Sequence, residues 1–272
     1  LVGGVIAAVM ASVVGTWLVL RGMSFFGDAF VHGVVPGIAA AVLLDFSPFL
    51  GAAVAAGVMV GGIQLVHRQT ALKEDTAIGL LFVGMLALGV VIISRSSSYS
   101  GSLTSILFGD ALGVTREGLL AQAVLAAVVV AVAVLLDRPL LALSFDRTKA
   151  DALGMRPAVT NAVLLVLIAS AVIGSDQAVG TLLVFGLLVG PPATAALVSR
   201  TVPAMMGVAV VVAVLSVAAG LVISYYAGTA ASATMAIVPV AVFFVTLAAT
   251  RVVAAVRRRT TRARGATATV AP

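Results

Sequence analysis

Cysteine is absent from this chain of 272 residues, and charged residues make up only 10% of it. The lack of cysteine excludes disulfides, thiolate metal sites and a cysteine nucleophile. A Walker lysine motif, a glycine-rich nucleotide loop and a Ser/His/Asp set are also missing, so we predict that the chain is not an enzyme. A soluble globular chain carries about 25% charged residues. Because 62% of the residues are hydrophobic, the chain cannot cover its surface with polar groups, and we predict an integral membrane protein.

Apolar blocks recur from one end of the chain to the other, and many approach the roughly 20 residues that a membrane helix needs. Charged or turn-rich breaks divide them into nine predicted spans, which indicates an all-α, polytopic membrane protein. The spans cover about residues 1–20, 24–44, 48–66, 76–94, 118–136, 157–174, 178–198, 203–226 and 231–250. We therefore predict one transmembrane domain over residues 1–250 and a basic, disordered tail over residues 251–272.

The basic residues indicate an orientation, because cytoplasmic loops of membrane proteins are enriched in Lys and Arg. If the arginine-rich tail is cytoplasmic, nine alternating spans place only Arg95 and Arg116 on the outer side. The rest of the 16 Lys and Arg residues are then on the cytoplasmic side. This topology explains the net charge of +6 without a nucleic-acid partner. It predicts a cytoplasmic C-terminus and an N-terminus on the outer side.

Two ionisable residues, Asp28 and His32, lie inside the second predicted span. Residues four apart share one face of a helix, with Cβ atoms about 5–6 Å apart. An acid and an imidazole at membrane depth usually mark an ion or proton pathway, although structural hydrogen bonding between helices is the alternative. Their oxygen and nitrogen ligands suit divalent transition metals. Two ligands are too few for a closed site, whereas a second copy across a twofold axis would double them.

Prolines indicate where helices are interrupted along this pathway. Pro36 has no N–H, so the carbonyl of His32 cannot make its helical hydrogen bond. Pro191 and Pro192 suggest a broken helix in the seventh predicted span, and broken helices often border transport pathways. Gly57 and Gly61 form a small-residue face for which helix packing is the expected role.

The largest cytoplasmic break, residues 137–156, contains apolar and basic residues at helical spacing. Phe145, Lys149 and Leu153 lie on one face, and Gly154 can end a helix. We predict a short amphipathic helix at about residues 145–155 on the cytoplasmic surface.

Five short sequence islands occur in order and resemble the manganese/zinc/iron family of ABC-transporter permeases. They are RGMS at 21–24 with GDA at 27–29, His32 and the Pro-Gly pair at 36–37; KEDTAIG at 73–79; LFGD at 107–110; LSFD at 143–146 with LGM at 153–155; and VGTLLV at 179–184 with PPATA at 191–195.

The resemblance implies a fold like that of the vitamin B12 and siderophore importers, in a bacterial plasma membrane. It implies that Asp28 and His32 contact the transported metal, which is Mn²⁺ or Zn²⁺ with Fe²⁺ as a further candidate, and that no cofactor is permanently bound. It also implies cytoplasmic ABC ATPase subunits, an extracytoplasmic metal-binding protein and a second permease copy or paired permease. The predicted cytoplasmic helix then matches the element that docks into the ATPase; the residues concerned are Phe145, Asp146, Lys149, Ala150 and Gly154.

Two other functions are compatible with the same residues. In a proton-coupled secondary metal transporter, Asp28 and His32 would relay protons and no ATPase would be needed. In a non-transporting membrane scaffold, the pair would serve only in packing. The docking helix predicted at 145–155 favours the ABC permease over the secondary transporter.

Overall fold

The computed structural model describes the backbone of residues 1–69, 74–94, 115–145 and 155–268. Within these ranges the chain forms eleven helices and no strands, as the all-α prediction requires. The helices are α1 Val2–Leu20, α2 Ser24–Gly33, α3 Val35–Leu43, α4 Pro48–Gln69, α5 Glu74–Ser94, α6 Arg116–Leu135, α7 Asp137–Phe145, α8 Pro157–Val179, α9 Thr181–Val198, α10 Val202–Ala227 and α11 Ala231–Ala268.

Eight helical segments of the described ranges are long and apolar enough to cross a membrane. The second of these segments, Ser24–Leu43, combines α2 and α3. The remaining predicted span corresponds to α9, whose apolar part, Leu183–Val198, is shorter. The segments agree with the nine predicted spans, and the chain is an integral membrane protein.

Helix α1 lies at the centre of the molecule and packs against α6, α8, α9 and α10. Its Trp17 and Leu18 side chains are fully buried. In the membrane-spanning stretch of α1, 67% of the residues are buried, whereas in that of α11 only 11% are. The core therefore surrounds α1, whereas α11 packs against α9 and α10 and few side chains in its described part, residues 231–253, are buried.

Small residues bring α3 and α4 into close contact. A Cβ built on Gly37 would overlap the carbonyl oxygen of Gly51, and a Cβ on Gly51 would overlap that of Gly37. Ala41 and Ala55 extend this contact by one turn on each helix. Among the described residues, no atom lies within 4 Å of a Cβ built on Gly57 or Gly61. The packing role predicted for these two glycines therefore has no partner in the described part of the chain, and it stays a prediction.

The boundary between α8 and α9 differs from the prediction. The polar residues 175–177 were expected to form the turn, but α8 continues to Val179. The chain turns at Gly180, whose φ of 78° is a conformation that glycine adopts at little cost. α9 then runs from Thr181 to Val198 with Pro191 and Pro192 inside it. The prediction that the two prolines break this helix was wrong.

One further helix was not predicted, and another extends beyond its expected end. α7 occupies residues Asp137–Phe145; the amphipathic helix predicted at 145–155 lies almost wholly outside the described residues and stays a prediction. Asp137 stabilises the start of α7 because a carboxylate interacts favourably with the positive end of the helix dipole. The backbone of α11 is helical to Ala268, where a disordered tail was expected. Arg and Ala are good helix formers, so an arginine- and alanine-rich segment can extend a helix.

Candidate metal-transport site

The short turn after α1 orients the helix that carries the acidic and imidazole side chains. α1 ends at Leu20, and Gly22, with φ of 68°, lets the chain reverse into α2. The Arg21 guanidinium donates a hydrogen bond through Nη1 to Oδ1 of Asn161 in α8. This contact connects the start of α2 to the first turns of α8.

Asp28 and His32 lie on one face of α2, as their spacing predicts. The distance from His32 Nε2 to Asp28 Oδ1 is 3.6 Å, and each side chain is about one-third exposed, at 33% for His32 and 34% for Asp28. The pair is therefore neither sealed in the core nor fully open. It presents an imidazole nitrogen and a carboxylate oxygen side by side.

The separation of these two atoms is compatible with a shared divalent cation. Around a tetrahedral metal with ligand distances of about 2.0–2.2 Å, two ligand atoms lie about 3.3–3.6 Å apart. His32 Nε2 and Asp28 Oδ1 are within this range. Among the described residues, no three His, Cys, Asp or Glu side chains lie close enough together to hold one metal ion. The described part of the chain therefore offers two candidate side-chain ligands at this position.

The opposite face of α2 is tightly packed. Phe26 and Phe30 are fully buried, and their ring centroids are 5.4 Å apart. A Cβ on Gly27 would come within 2.6 Å of Leu188, and one on Gly33 would overlap the sulfur of Met59. The absence of side chains at the two glycines lets α9 and α4 approach the α2 backbone closely. This packing fixes the position of the two polar side chains on the other face.

Near Pro36, where the sequence predicts a kink within one span, the structure has two separate helices. α2 ends at Gly33, α3 begins at Val35, and Pro36 occupies the first turn of α3. Proline is favourable there because the first N–H groups of a helix have no helical partner. α5 packs directly against this point, since a Cβ on Gly89 would lie 3.3 Å from the Pro36 nitrogen. The break is thus one residue past the end of the helix that carries His32.

Pro191 and Pro192 are buried in α9. Because Pro192 has no N–H, the carbonyl of Leu188 loses its usual helical donor. That carbonyl oxygen lies against Gly15 of α1, where a Cβ would overlap it. In the described part of the chain, this carbonyl lies at the contact between α1 and α9. A pathway role for the two prolines stays a prediction.

The residues predicted to contact an ATPase are mostly beyond the described ranges. Phe145 is the last residue of α7, and Asp146, Lys149, Ala150 and Gly154 lie outside the described residues. Their role also stays a prediction.

Phe82 of α5 contacts the site and was not found by the sequence analysis. Its ring centroid is 6.2 Å from that of His32 and 5.8 Å from that of Phe25, one turn before Asp28. No local sequence signal distinguishes Phe82 within an apolar span. Only the packing of α5 against α2 identifies it.

Comparisons with known proteins agree with this architecture. The profile of the ABC 3 transport family matches residues 1–250. The manganese transport system membrane protein MntC of Listeria monocytogenes is 33% identical over 245 residues, which cover 90% of this chain and 87% of that protein. The manganese import system permease protein ScaB of Streptococcus parasanguinis is 36% identical, with 83% of this chain and 80% of the relative covered. A protein of Haemophilus influenzae named probable iron transport system membrane protein is 31% identical, with 93% of both chains covered.

Two solved structures have the same fold. PsaBC from Streptococcus pneumoniae, in complex with Fab, superposes with a TM-score of 0.80 at 30% identity, covering 90% of this chain and 88% of the other. A structure described as an inward-facing metal-chelate type ABC transporter superposes with a TM-score of 0.67 at 21% identity, covering 89% and 84%; it supports the fold alone. The matched family profile and the relatives above 30% identity show that this chain belongs to the ABC 3 transport family.

Proposed function

We propose that the chain is the membrane-spanning permease subunit of an ATP-driven importer for divalent transition metals, with Mn²⁺ as the first substrate to test. The observation that carries the proposal is the Asp28–His32 pair, held 3.6 Å apart on one face of a helix within a membrane span. Relatives named as manganese transport and import proteins support the choice of metal.

The ligand types agree with this order of metals. Carboxylate oxygen suits Mn²⁺, and imidazole nitrogen suits iron and zinc. A relative named for iron transport makes Fe²⁺ the second candidate. Zn²⁺ accepts the same ligands but has less support from the relatives. In this proposal the metal ion is cargo, and the chain needs no resident cofactor.

The exposed side of the Asp28–His32 pair bears on how the subunit assembles. An aspartate that faces lipid costs roughly 2.5–3.5 kcal/mol at the centre of a membrane helix, and Asp28, near one end of the Ser24–Leu43 span, would bear part of that cost. Each of the two side chains is about one-third exposed in the single chain. A second permease copy or a paired permease, seated against this face, would remove the pair from lipid and supply further ligands. We therefore place the transport pathway between two permease chains.

The proposal also assigns partners and a location. The ATPase subunits would bind on the cytoplasmic side at the segment that includes Phe145, Asp146, Lys149, Ala150 and Gly154. An extracytoplasmic metal-binding protein would deliver the ion on the opposite side. The distribution of Lys and Arg supports a cytoplasmic C-terminus in a bacterial plasma membrane.

Transport then depends on incomplete coordination. The ion exchanges part of its hydration shell for Asp28 and His32 as it enters the membrane. Pro36, together with Pro191 and Pro192, would border the pathway in this proposal. Closure of the ATPase subunits on ATP would alter the contact at the cytoplasmic helix and open the inward side. Because the site holds the ion through few ligands, the ion can leave again.

The test uses the permease reconstituted with its ATPase subunits in liposomes and supplied with its extracytoplasmic metal-binding protein, with uptake of Mn²⁺, Fe²⁺ and Zn²⁺ measured with and without ATP. We expect ATP-dependent Mn²⁺ uptake that falls at least about tenfold in Asp28→Asn, because the charged ligand is lost. The matched control is Asp45→Asn, since Asp45 is exposed in the turn after α3 at φ of 56°, a conformation that Asn also tolerates.

The outcomes separate the ABC importer from the secondary transporter and test the assigned site. Normal assembly with lost uptake in Asp28→Asn, and normal uptake in Asp45→Asn, supports the proposal. Uptake driven by a proton gradient without the ATPase would identify a secondary transporter instead. Unchanged uptake in Asp28→Asn would remove the assigned site.

A further inference from the structure

The ring of Phe82 contacts the imidazole of His32 from a different helix. The two ring centroids are 6.2 Å apart and their planes are tilted by 56°. Phe25 packs edge-on against the same phenyl ring at 5.8 Å and 79°. Within the described ranges, Phe82 has the one aromatic ring that contacts His32. It therefore stands beside the metal-binding face of α2 without belonging to that helix.

The two helices run parallel, which places the rings at one depth. Phe82 contacts residues 25 and 32, and Gly89, seven positions later in α5, contacts the Val35–Pro36 step. His32 lies eight residues after the start of α2, and Phe82 eight residues after the start of α5. Eight residues of α-helix rise about 12 Å. Phe82 therefore contacts His32 from the neighbouring helix at about the same height along the two helix axes, which is the level where the ion would bind.

An imidazole ligand is effective only when its ring is held in the right orientation. Hydrogen-bonded partners of a metal-binding histidine fix its ring orientation, and their loss typically lowers metal affinity about 10–100-fold. An aromatic ring packed against the imidazole restricts the same rotation by steric contact. On this chain Asp28 lies on one side of the His32 ring and Phe82 lies on another. A side chain enclosed in this way has few open rotamers.

We infer that Phe82 is a positioning residue of the site: it holds the His32 ring with Nε2 towards Asp28 and limits access of water to that ring. The consequence for metal transport rests on the proposed function. The shielding of the imidazole does not, because it follows from the ring contact alone.

The shielding is tested by chemical modification of histidine. The chain contains only two histidines, so His67→Gln leaves His32 as the single target. Diethyl pyrocarbonate then reports access to the imidazole, with the carbethoxylated fraction followed by mass spectrometry on the purified permease–ATPase complex. We expect faster modification in Phe82→Ala and in Phe82→Leu, which keeps apolar volume without a ring. Phe82→Tyr should modify at the original rate, since it restores the ring.

Val83→Ala is the matched control on the same helix, because Val83 is 62% exposed. It should leave the modification rate unchanged. Equal rates in Phe82→Ala, Phe82→Leu and the parent would overturn the inference. Acceleration by Val83→Ala as large as by Phe82→Ala would also overturn it, because a general loosening of α5 would then explain the result.

The transport arm measures uptake against Mn²⁺ concentration. We expect Phe82→Leu to raise the half-saturating concentration about tenfold, with a smaller change in maximal rate, and Phe82→Tyr to restore it. An unchanged half-saturating concentration with faster modification would overturn the positioning role. If the parent complex takes up no Mn²⁺, the proposed function fails, and the modification arm still decides whether Phe82 shields His32.

Discussion

The crossing of α3 and α4 provides a quantitative test of the packing that supports the site. A Cβ on Gly51 would overlap the carbonyl oxygen of Gly37 and lie 2.7 Å from the Cβ of Ala41. Overpacking of this kind typically costs about 1–3 kcal/mol. Alanine is favoured over glycine within a helix by up to about 1 kcal/mol. We therefore expect Gly51→Ala to destabilise the chain by about 1–2 kcal/mol.

The same helix supplies matched controls. Gly57 and Gly61 also lie in α4, and a Cβ built on either meets no atom of the described segments within 4 Å. At these positions the only expected effect of alanine is its higher helix propensity. Gly57→Ala and Gly61→Ala should therefore be neutral or stabilise the chain by up to about 1 kcal/mol. The difference between Gly51→Ala and Gly57→Ala should then be about 2 kcal/mol, which is roughly a 30-fold change in the unfolding equilibrium.

Equilibrium unfolding of the purified chain in mixed micelles, with SDS as denaturant, measures this difference. The double substitution Gly37→Ala with Gly51→Ala adds a second test, because one separation of α3 from α4 accommodates both new methyl groups. The combined cost should fall short of the sum by at least about 0.5 kcal/mol. If Gly51→Ala unfolds with the same free energy as Gly57→Ala, the close contact between α3 and α4 does not exist as described.

Two further changes test contacts at helix ends by the same unfolding measurement. Asn161→Leu removes the acceptor for Arg21 and should cost about 1.5–3 kcal/mol, because that hydrogen bond involves a charged donor; Asn161→Asp keeps an acceptor and should be milder, and equal costs would contradict the reasoning. Thr115 caps α6, with Oγ1 accepting from the Gly118 N–H at 3.1 Å, so Thr115→Ala should cost about 1 kcal/mol. Thr115→Ser should restore most of it, and a neutral Thr115→Ala would show that the cap contributes nothing.

Local sequence patterns were sufficient for the helix that carries the candidate site. The spacing of Asp28 and His32 predicted their common face, and Pro36 predicted a kink close to the point where α2 and α3 separate. Both features depend on residues within one or two helical turns. The run of apolar segments likewise predicted the spans, because the bilayer fixes the length of a spanning helix.

Features that depend on neighbouring helices could not be predicted in this way. Phe82 is one of many apolar residues in α5, and nothing in its surrounding sequence indicates that it contacts His32. The double proline suggested a broken helix, yet α9 continues because only two hydrogen-bond donors are lost and α1 packs closely at Gly15. The polar residues at 175–177 resembled a turn, whereas the chain turns at Gly180.

The two faces of α2 have opposite properties, and the combination suits a transport site better than a storage site. On the packed face, Gly27 and Gly33 admit Leu188 and Met59, so a bulkier residue at either position would push the helix away from α9 or α4. On the other face, Asp28 and His32 are each about one-third exposed and lack a third acidic or imidazole side chain among the described residues. The packed face holds in place the backbone that carries Asp28 and His32. In the proposed transport function, the open face leaves the coordination of an ion by this chain incomplete, so an ion that meets these two side chains is not enclosed by them.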